Sequence, residues 1–526
     1  MVVTRSSFAD ISIPDVPVAA FVLERAEALG DKPALIDGPS GRTITYAQLG
    51  GMARALAAGL AARGFGPGDV FAIFAPNLPE YAVAFHGVAA AGGTNTTINS
   101  LASVEDIATQ LHATRARFLL TVDPFLDRAL PAARKAGVEE IFVLGPESPD
   151  GTAPFGALFG DPGEAPILTI DPAGAVVAMP MSSGTTGFPK VVQLTHRNLV
   201  ANTVQSSSAI DIHDRDVLIG ILPFFHIYGM TVLVNLALWR GATVVTMPRF
   251  ELDGFLQLMQ DHRVTYACLV PPIVLALAKH PAVDDFDLSA LEFVISGAAP
   301  LDAGVGQAAA ARLDCQVLQG YGLTETSPVL SAPVRDAARA NPSSAGLILP
   351  NTEIRVVALE DGGEDPALGD DGEVWARGPQ IMKGYLDDPE ANAWISPGDG
   401  WLRTGDIGHT DDRGYLYVVD RLKELIKYRG FQVPPAELEA LLLQHPAVAD
   451  AAVIPAPDAT AGEVPKAFVV KTPGAEVTEG ELMSYVSEHV PSYKKVRRVE
   501  FIDEIPRSLS GKILRRVLVE RERAGA

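Results

Sequence analysis

The stretch SSGTTGFPK, residues 182 to 190, sets four hydroxyl side chains and two glycines ahead of a single lysine. Glycine lets a backbone approach a ligand closely and leaves its N–H groups free, and hydroxyls add donors. With Ser182, Ser183, Gly184, Thr185, Thr186 and Gly187 as donors and Lys190 as a point charge, such a loop can grip phosphate. It is not the Walker pattern, in which Gly-Lys-[Ser/Thr] opens a helix. Here Pro189 precedes the lysine and the strand-like VVQL follows. A polar turn between strands is the plain alternative. A second candidate is RLKELIKYRG, residues 421 to 430, with four cations against one glutamate on a chain of net charge −22. Local positive charge on an acidic background suits a polyphosphate ligand, although a solvated amphipathic segment has the same composition. His226, between aromatics in PFFHIYGM, has the residue type of a proton carrier and equally that of a packed core histidine.

Further stretches follow in order: LPFFHIYGM, ISGAAPL, QGYGLTETSPV, WLRTGDIG, DRLKELIKYRGFQVPPAELE and PRSLSGKILRR. The ordered set, from about residue 180 to 516, resembles the adenylate-forming superfamily of acyl-CoA synthetases, 4-coumarate–CoA ligases, firefly-type luciferases and carrier-loading adenylation domains. It looks closest to the 4-coumarate–CoA and medium-chain acyl-CoA ligases. One departure is Val191, where glycine is usual; a β-branched residue should stiffen the strand that leaves the loop without removing a phosphate donor.

The resemblance implies a carboxylate attacking the α-phosphate of ATP to give acyl-AMP and pyrophosphate, after which the thiol of coenzyme A displaces AMP. Both steps place negative charge on oxygens, which positioned cations and donors would stabilise. By the same resemblance Tyr321 stacks on adenine, Thr324 bonds the α-phosphate, Glu325 holds Mg²⁺, Asp406 takes the ribose hydroxyls and Arg421 reinforces that grip. Gln319, Gly320 and Gln432 are further nucleotide contacts. Lys512 serves the first step, Lys427 the second, and Lys423 lies at a hinge between them; His226 orients the carboxylate or gates the site. Arg249, Arg429 and Gly430 match coenzyme A contacts, with arginine replacing lysine at 249 and 429. The acyl group falls to Tyr228, Val232, Gly297, Ala298, Gly322, Pro328 and Val329, small or apolar residues suited to an aromatic ring or alkyl chain.

These groups need a scaffold. Short apolar runs such as VFAIF, RFLLTV, EIFVLG, DVLIGIL, ATVVTM, YACLV and FVISG alternate with helical patterns such as VAAFVLERAEALG and YAQLGGMARALAAGLAARG. Alternation of this kind predicts an α/β fold of mostly parallel, helix-covered sheets. Near residue 350 the pattern changes: EIRVVAL, GEVWARG and GYLYVVD predict a small antiparallel β piece. A mobile α+β domain is expected to follow, giving residues 1–420, a hinge at 421–424 and a lid at 425–526.

Composition narrows the class. With 48% hydrophobic and 20% charged residues among 526, the chain reads as globular, and its acidity argues against nucleic acid or an anionic membrane as partner. Cys268 and Cys315 are too few for a disulfide scaffold and suit a reducing compartment. The opening MVVTRSSFADISIPD has no apolar core of signal-peptide length, no run reaches about 18 apolar residues, and ERERAGA carries no peroxisomal or prenylation pattern. A cytoplasmic protein is expected, as monomer or homodimer. The leading expectation is an ATP-dependent carboxylate–CoA ligase. Its rivals are an enzyme that loads a carrier protein, a luciferase-like oxygenase, and a nucleotide-binding regulator that releases no pyrophosphate.

Overall fold

The computed structural model describes residues 2–145, 148–182, 189–359, 363–429, 431–458, 460–509 and 511–525. Ser183, Gly184, Thr185, Thr186 and Gly187 of the expected phosphate loop, and Gly430, lie outside the described residues.

The short apolar runs form strands covered on both faces. VFAIF becomes Val70–Phe74, buried at all five positions. It pairs in parallel with Thr94–Thr97 on one side and Phe118–Val122 on the other, and Glu140–Leu144 extends the sheet. A second sheet runs Gln316–Gln319, Phe293–Ser296, Tyr266–Leu269, Val217–Gly220, Thr243–Thr246 and Pro33–Asp37, all parallel, with Thr43–Thr45 antiparallel at its edge. Parallel neighbours need long crossovers, which the intervening helices supply. Helices that start on capping boxes include Tyr46–Ala62, on Thr45 with Gln48, and His196–Ile210, on Thr195 with Asn198.

The helical pattern VAAFVLERAEALG divides instead into Val18–Val22 and Ala26–Leu29. At the break Phe21 stacks on Trp239 and the Trp239 indole N–H donates to Glu24. A contact more than 200 positions away overrides the local period.

The antiparallel piece is a five-stranded sheet ordered Val3–Arg5, Glu353–Val357, Gly372–Arg377, Leu402–Thr410 and Leu416–Arg421. Beyond Arg421 the chain builds a separate core from Ile426, Val433, Leu438, Leu442, Val448, Val469 and Leu482. Its sheet runs Phe431–Val433, Ile426–Tyr428, Gly462–Lys471 and Val448–Asp458, with Arg498–Phe501 parallel to Gly462–Lys471. Pro435–Leu443 and Glu479–His489 pack on that core, and Arg515–Gly525 ends the described chain. Polar contacts between described residues join this lobe to the larger body. The Ala436 N–H donates to Asp420 Oδ2 at 3.2 Å, and Gln444 Nε2 donates to Asp302 Oδ2 at 3.4 Å. Among the described residues no helix is long and apolar enough to cross a membrane.

Val191 sits on Lys190–Thr195, paired with Met181, and its carbonyl accepts from the Leu386 N–H at 2.9 Å. Its side chain is 7% exposed and joins a cluster with Ile98, Leu119 and Met179, flanked by Met181 and Leu386. The valine thus anchors the strand that carries Lys190. Removing a buried valine side chain forfeits about 1.5–3 kcal/mol, and glycine within a strand costs about 0.5–1 kcal/mol more. Val191→Gly is therefore expected to lower stability by roughly 2–4 kcal/mol, read as an earlier denaturant midpoint; an unchanged midpoint would show that the anchor carries no load.

Candidate active site

Two cavities meet where the small lobe touches the large one. The first, about 160 Å³ and open to solvent, is the more polar, lined by Ser182, Thr324, Glu325, Arg403, Asp406, Arg421, Lys423 and Lys512 among others. The second, about 50 Å³, is mostly apolar and is lined by His226, Tyr228, Ile295, Gly297, Ala298, Gly320, Tyr321, Gly322, Pro328, Val329 and Ala332 among others. Lys512 and Thr324 line both. A ligand with a charged end and an apolar end can therefore lie across the junction, with the lysine at its middle.

Sheet register builds the polar half. Asp406 and Arg421 are directly opposed on Leu402–Thr410 and Leu416–Arg421, so Arg421 Nε meets Asp406 Oδ1 at 3.1 Å. The Tyr321 hydroxyl donates to Asp406 Oδ2 at 2.6 Å. Burial and the Asp406 charge hold the Tyr321 phenol protonated as a donor, and the Asp406 carboxylate keeps Arg421 charged. Glu325, 4% exposed, accepts from the Tyr385 hydroxyl at 2.8 Å. Among the described residues no cluster of three or more metal-ligating side chains occurs. The Glu325 carboxylate fits Mg²⁺, which takes one or two carboxylates and fills its remaining positions with phosphate oxygens and water.

Lys512 reaches the junction from a tight turn. Gly511 has φ +78°, and a Cβ there would lie 2.9 Å from Val270 Cβ of the large body. Only a residue without a side chain lets this loop sit so close in that conformation. Burial, then the charge of Arg421, brings the Lys512 ammonium down to about 8, while Asp406 and Glu325 oppose the shift. His226 is brought down to about 3, by desolvation first and then by Lys512. Its Nδ1 accepts from the Tyr228 N–H at 3.3 Å. The neutral ring therefore carries its proton on Nε2 and is a donor.

In the apolar half the Tyr228 ring lies against Gly297, where a Cβ would be 2.9 Å from its Cε1, and the hydroxyl donates to the Ile295 carbonyl at 3.4 Å. Gly322 is equally constrained: a Cβ would fall 2.0 Å from the Pro328 carbonyl oxygen. Glycine at both points makes room for the cavity wall itself.

Other expected residues stand elsewhere. Val232 is fully buried in the wide-turned helix Met230–Ala237 and lines neither cavity. Gln319 has its carboxamide committed to structure, accepting from the Leu301 N–H at 2.7 Å and donating to the Pro342 carbonyl at 3.4 Å. Gly320 and Tyr321 line the apolar half. Lys427 and Gln432 are cross-strand partners on an exposed hairpin, and Arg429 and Arg249 are also exposed; none of the four lines either cavity. Lys190 pairs with Asp388 at 2.5 Å. Sequence reasoning missed Tyr385, Asp388, Arg403 and Gly511. For Asp388 a signal existed, because Asp-Pro after KGYLD is a helix-start pattern.

The titration of Lys512 gives a sign. The ammonium is present below about 8 and lost above it, whereas His226 stays neutral down to about 3. Affinity for a small aromatic carboxylate is expected to fall as pH rises through about 8, by calorimetry, with the inflection absent in Lys512→Arg. An affinity that stays level across that range in the unmodified protein would remove Lys512 from the ligand.

Comparison with known proteins identifies the family. The family model described as AMP-binding enzyme matches residues 22–386, and that of the AMP-binding enzyme C-terminal domain matches residues 437–512. A 4-coumarate–CoA ligase 1 from Petroselinum crispum is 42% identical over 99% of this chain and 97% of its own length. The crystal structure of ATP-bound MatB from Rhodopseudomonas palustris superposes with a TM-score of 0.84 at 30% identity, covering 95% of this chain and 98% of that one. An anthranilate CoA ligase, AuaEII, in complex with anthranoyl-AMP has the same fold, with a TM-score of 0.88 at 24% identity over 98% and 99% of the two chains. Matched over most of its length and closed by the lobe that delivers Lys512, the chain belongs to the family of AMP-binding, adenylate-forming enzymes.

Proposed function

We propose that the protein is an ATP-dependent carboxylate–CoA ligase whose acid is an aromatic, cinnamate- or coumarate-like molecule or another apolar acid of medium size. The observation that carries this reading is Lys512 at the junction of a polar and an apolar cavity. An acid held by its apolar body presents its carboxylate at that junction, and a nucleotide held at Asp406 and Arg421 presents its α-phosphate there. Relatives named 4-coumarate–CoA ligase support the choice of acid and acceptor.

In the first step a carboxylate oxygen bonds to the α-phosphorus and the bond to the bridging oxygen breaks, releasing pyrophosphate. Lys512 neutralises the charge shared between carboxylate and phosphate. His226 donates from Nε2 to orient the acid, and Asp406, Tyr321 and Arg421 fix the nucleoside. Mg²⁺, held at Glu325, would neutralise phosphate charge when bound. In the second step the sulfur of coenzyme A bonds to the acyl carbon, the bond to AMP breaks and the thiol proton leaves. Lys427 stands outside the cleft on the small lobe. The reading therefore requires residues 425–526 to swing about 421–424, bringing Lys427, Arg429 and Gln432 to the body beside Arg249. The setting proposed is the cytoplasm.

The test follows pyrophosphate, then AMP and thioester, with ATP, Mg²⁺, coenzyme A and a panel of aromatic and aliphatic acids. Acid-dependent pyrophosphate with thioester is expected; pyrophosphate without thioester would replace coenzyme A by a carrier thiol. Lys512→Ala is expected to slow adenylate formation by about 10²–10³ while sparing thioester formation from supplied acyl-AMP. Lys427→Ala is expected to do the reverse, and equal losses in both steps would contradict a division of labour.

A further inference from the structure

Lys190, the basic side chain that closes SSGTTGFPK, is engaged by an anion of the protein itself. Its Nζ lies 2.5 Å from Asp388 Oδ2 and 5.5 Å from the centre of the Tyr385 ring, and its side chain is 14% exposed. Asp388 has a second attachment: Oδ1 accepts from the Ala391 N–H at 3.0 Å and caps the helix Pro389–Ile395. That helix supplies Trp394 and Ile395 to the wall of the polar cavity. Tyr385, under the lysine, donates to Glu325. One carboxylate thus joins the lysine to a cavity wall, and the surface beneath the lysine leads to the carboxylate that fits Mg²⁺. The hydrogen bond from Lys190 holds the Asp388 carboxyl below the ordinary range, so the pair is ionic at neutral pH.

We propose that Asp388 is a positioning residue, a resident counter-anion that competes with the outer phosphates of ATP for Lys190. The inference rests on the nucleotide reading above and adds to it. A triphosphate carries more charge than one carboxylate and can draw the ammonium off Asp388, but the exchange costs a charge-assisted hydrogen bond. When pyrophosphate is formed, Asp388 offers the lysine an alternative partner and favours release. AMP lacks the outer phosphates and does not enter this competition.

Asp388→Asn separates the two duties of the residue, because asparagine caps a helix as well as aspartate does but carries no charge. With no acid present, calorimetry is expected to show the variant binding ATP about tenfold more tightly and AMP unchanged. Steady-state rates should show a lower KM for ATP with slower pyrophosphate release. In a Lys190→Ala background the same substitution should leave ATP affinity unmoved. Asp388→Ala, which also loses the cap, should lower the melting temperature where Asp388→Asn does not. Unchanged or weaker ATP binding by Asp388→Asn overturns the proposal, as does an equal shift for ATP and AMP. Absence of ATP binding by the unmodified protein overturns the nucleotide reading, and this inference with it.

Discussion

The site depends on an ammonium group held out of bulk water. Desolvation of Lys512 and the nearby Arg421 both favour losing its proton, and the carboxylates of Asp406, Glu325 and Glu424 oppose them. A cation in that balance is weakly solvated and therefore interacts strongly with any carboxylate or phosphate that enters. The balance depends on the small lobe being docked, because the lysine comes from that lobe while Asp406 and Glu325 come from the large body. Gly511, pressed on Val270 with positive φ, is the point of that docking next to the lysine.

The carboxylates of the cleft are held in turn by partners that fix their direction. Asp406 is pinned by Tyr321 and Arg421, and Glu325 by Tyr385. Phenolic donors suit this task because burial keeps them protonated, so they orient the carboxylates without neutralising them. The acidic surface and the basic cluster of the cleft are consistent with each other. A net charge of −22 sets copies of the chain to repel one another, and concentrating cations near one cavity directs anionic ligands there.

The apolar cavity obeys a different constraint, that of volume. Gly297 and Gly322 face a tyrosine ring and a carbonyl oxygen at distances no Cβ tolerates, so the cavity walls are set by close backbone approach as well as by side chains. His226 lines the apolar half, with Nδ1 held by the Tyr228 N–H.

The sequence by itself determined the strands and the chemical inventory. Runs such as VFAIF and YACLV are apolar at successive positions, a pattern that a strand covered on both faces requires. Hydroxyls, glycines and a lysine in SSGTTGFPK, and lysines beside glycine in KYRG and SGK, likewise advertise anion chemistry without any fold. The tertiary structure decided which of these groups meet. Asp406, which on its own reads as a turn residue, is a mid-strand carboxylate because register sets it opposite Arg421. Lys512 enters the cleft while Lys427 stays on an exposed hairpin, and both are simply lysines near glycine in the chain. Val232 and Gln319 were spent on core packing and loop anchoring, as burial and partner choice depend on neighbours far away in sequence. Local periodicity reports what a residue can do; distance between side chains is a property of the packed chain, set by contacts such as Lys190 with Asp388 across almost 200 positions.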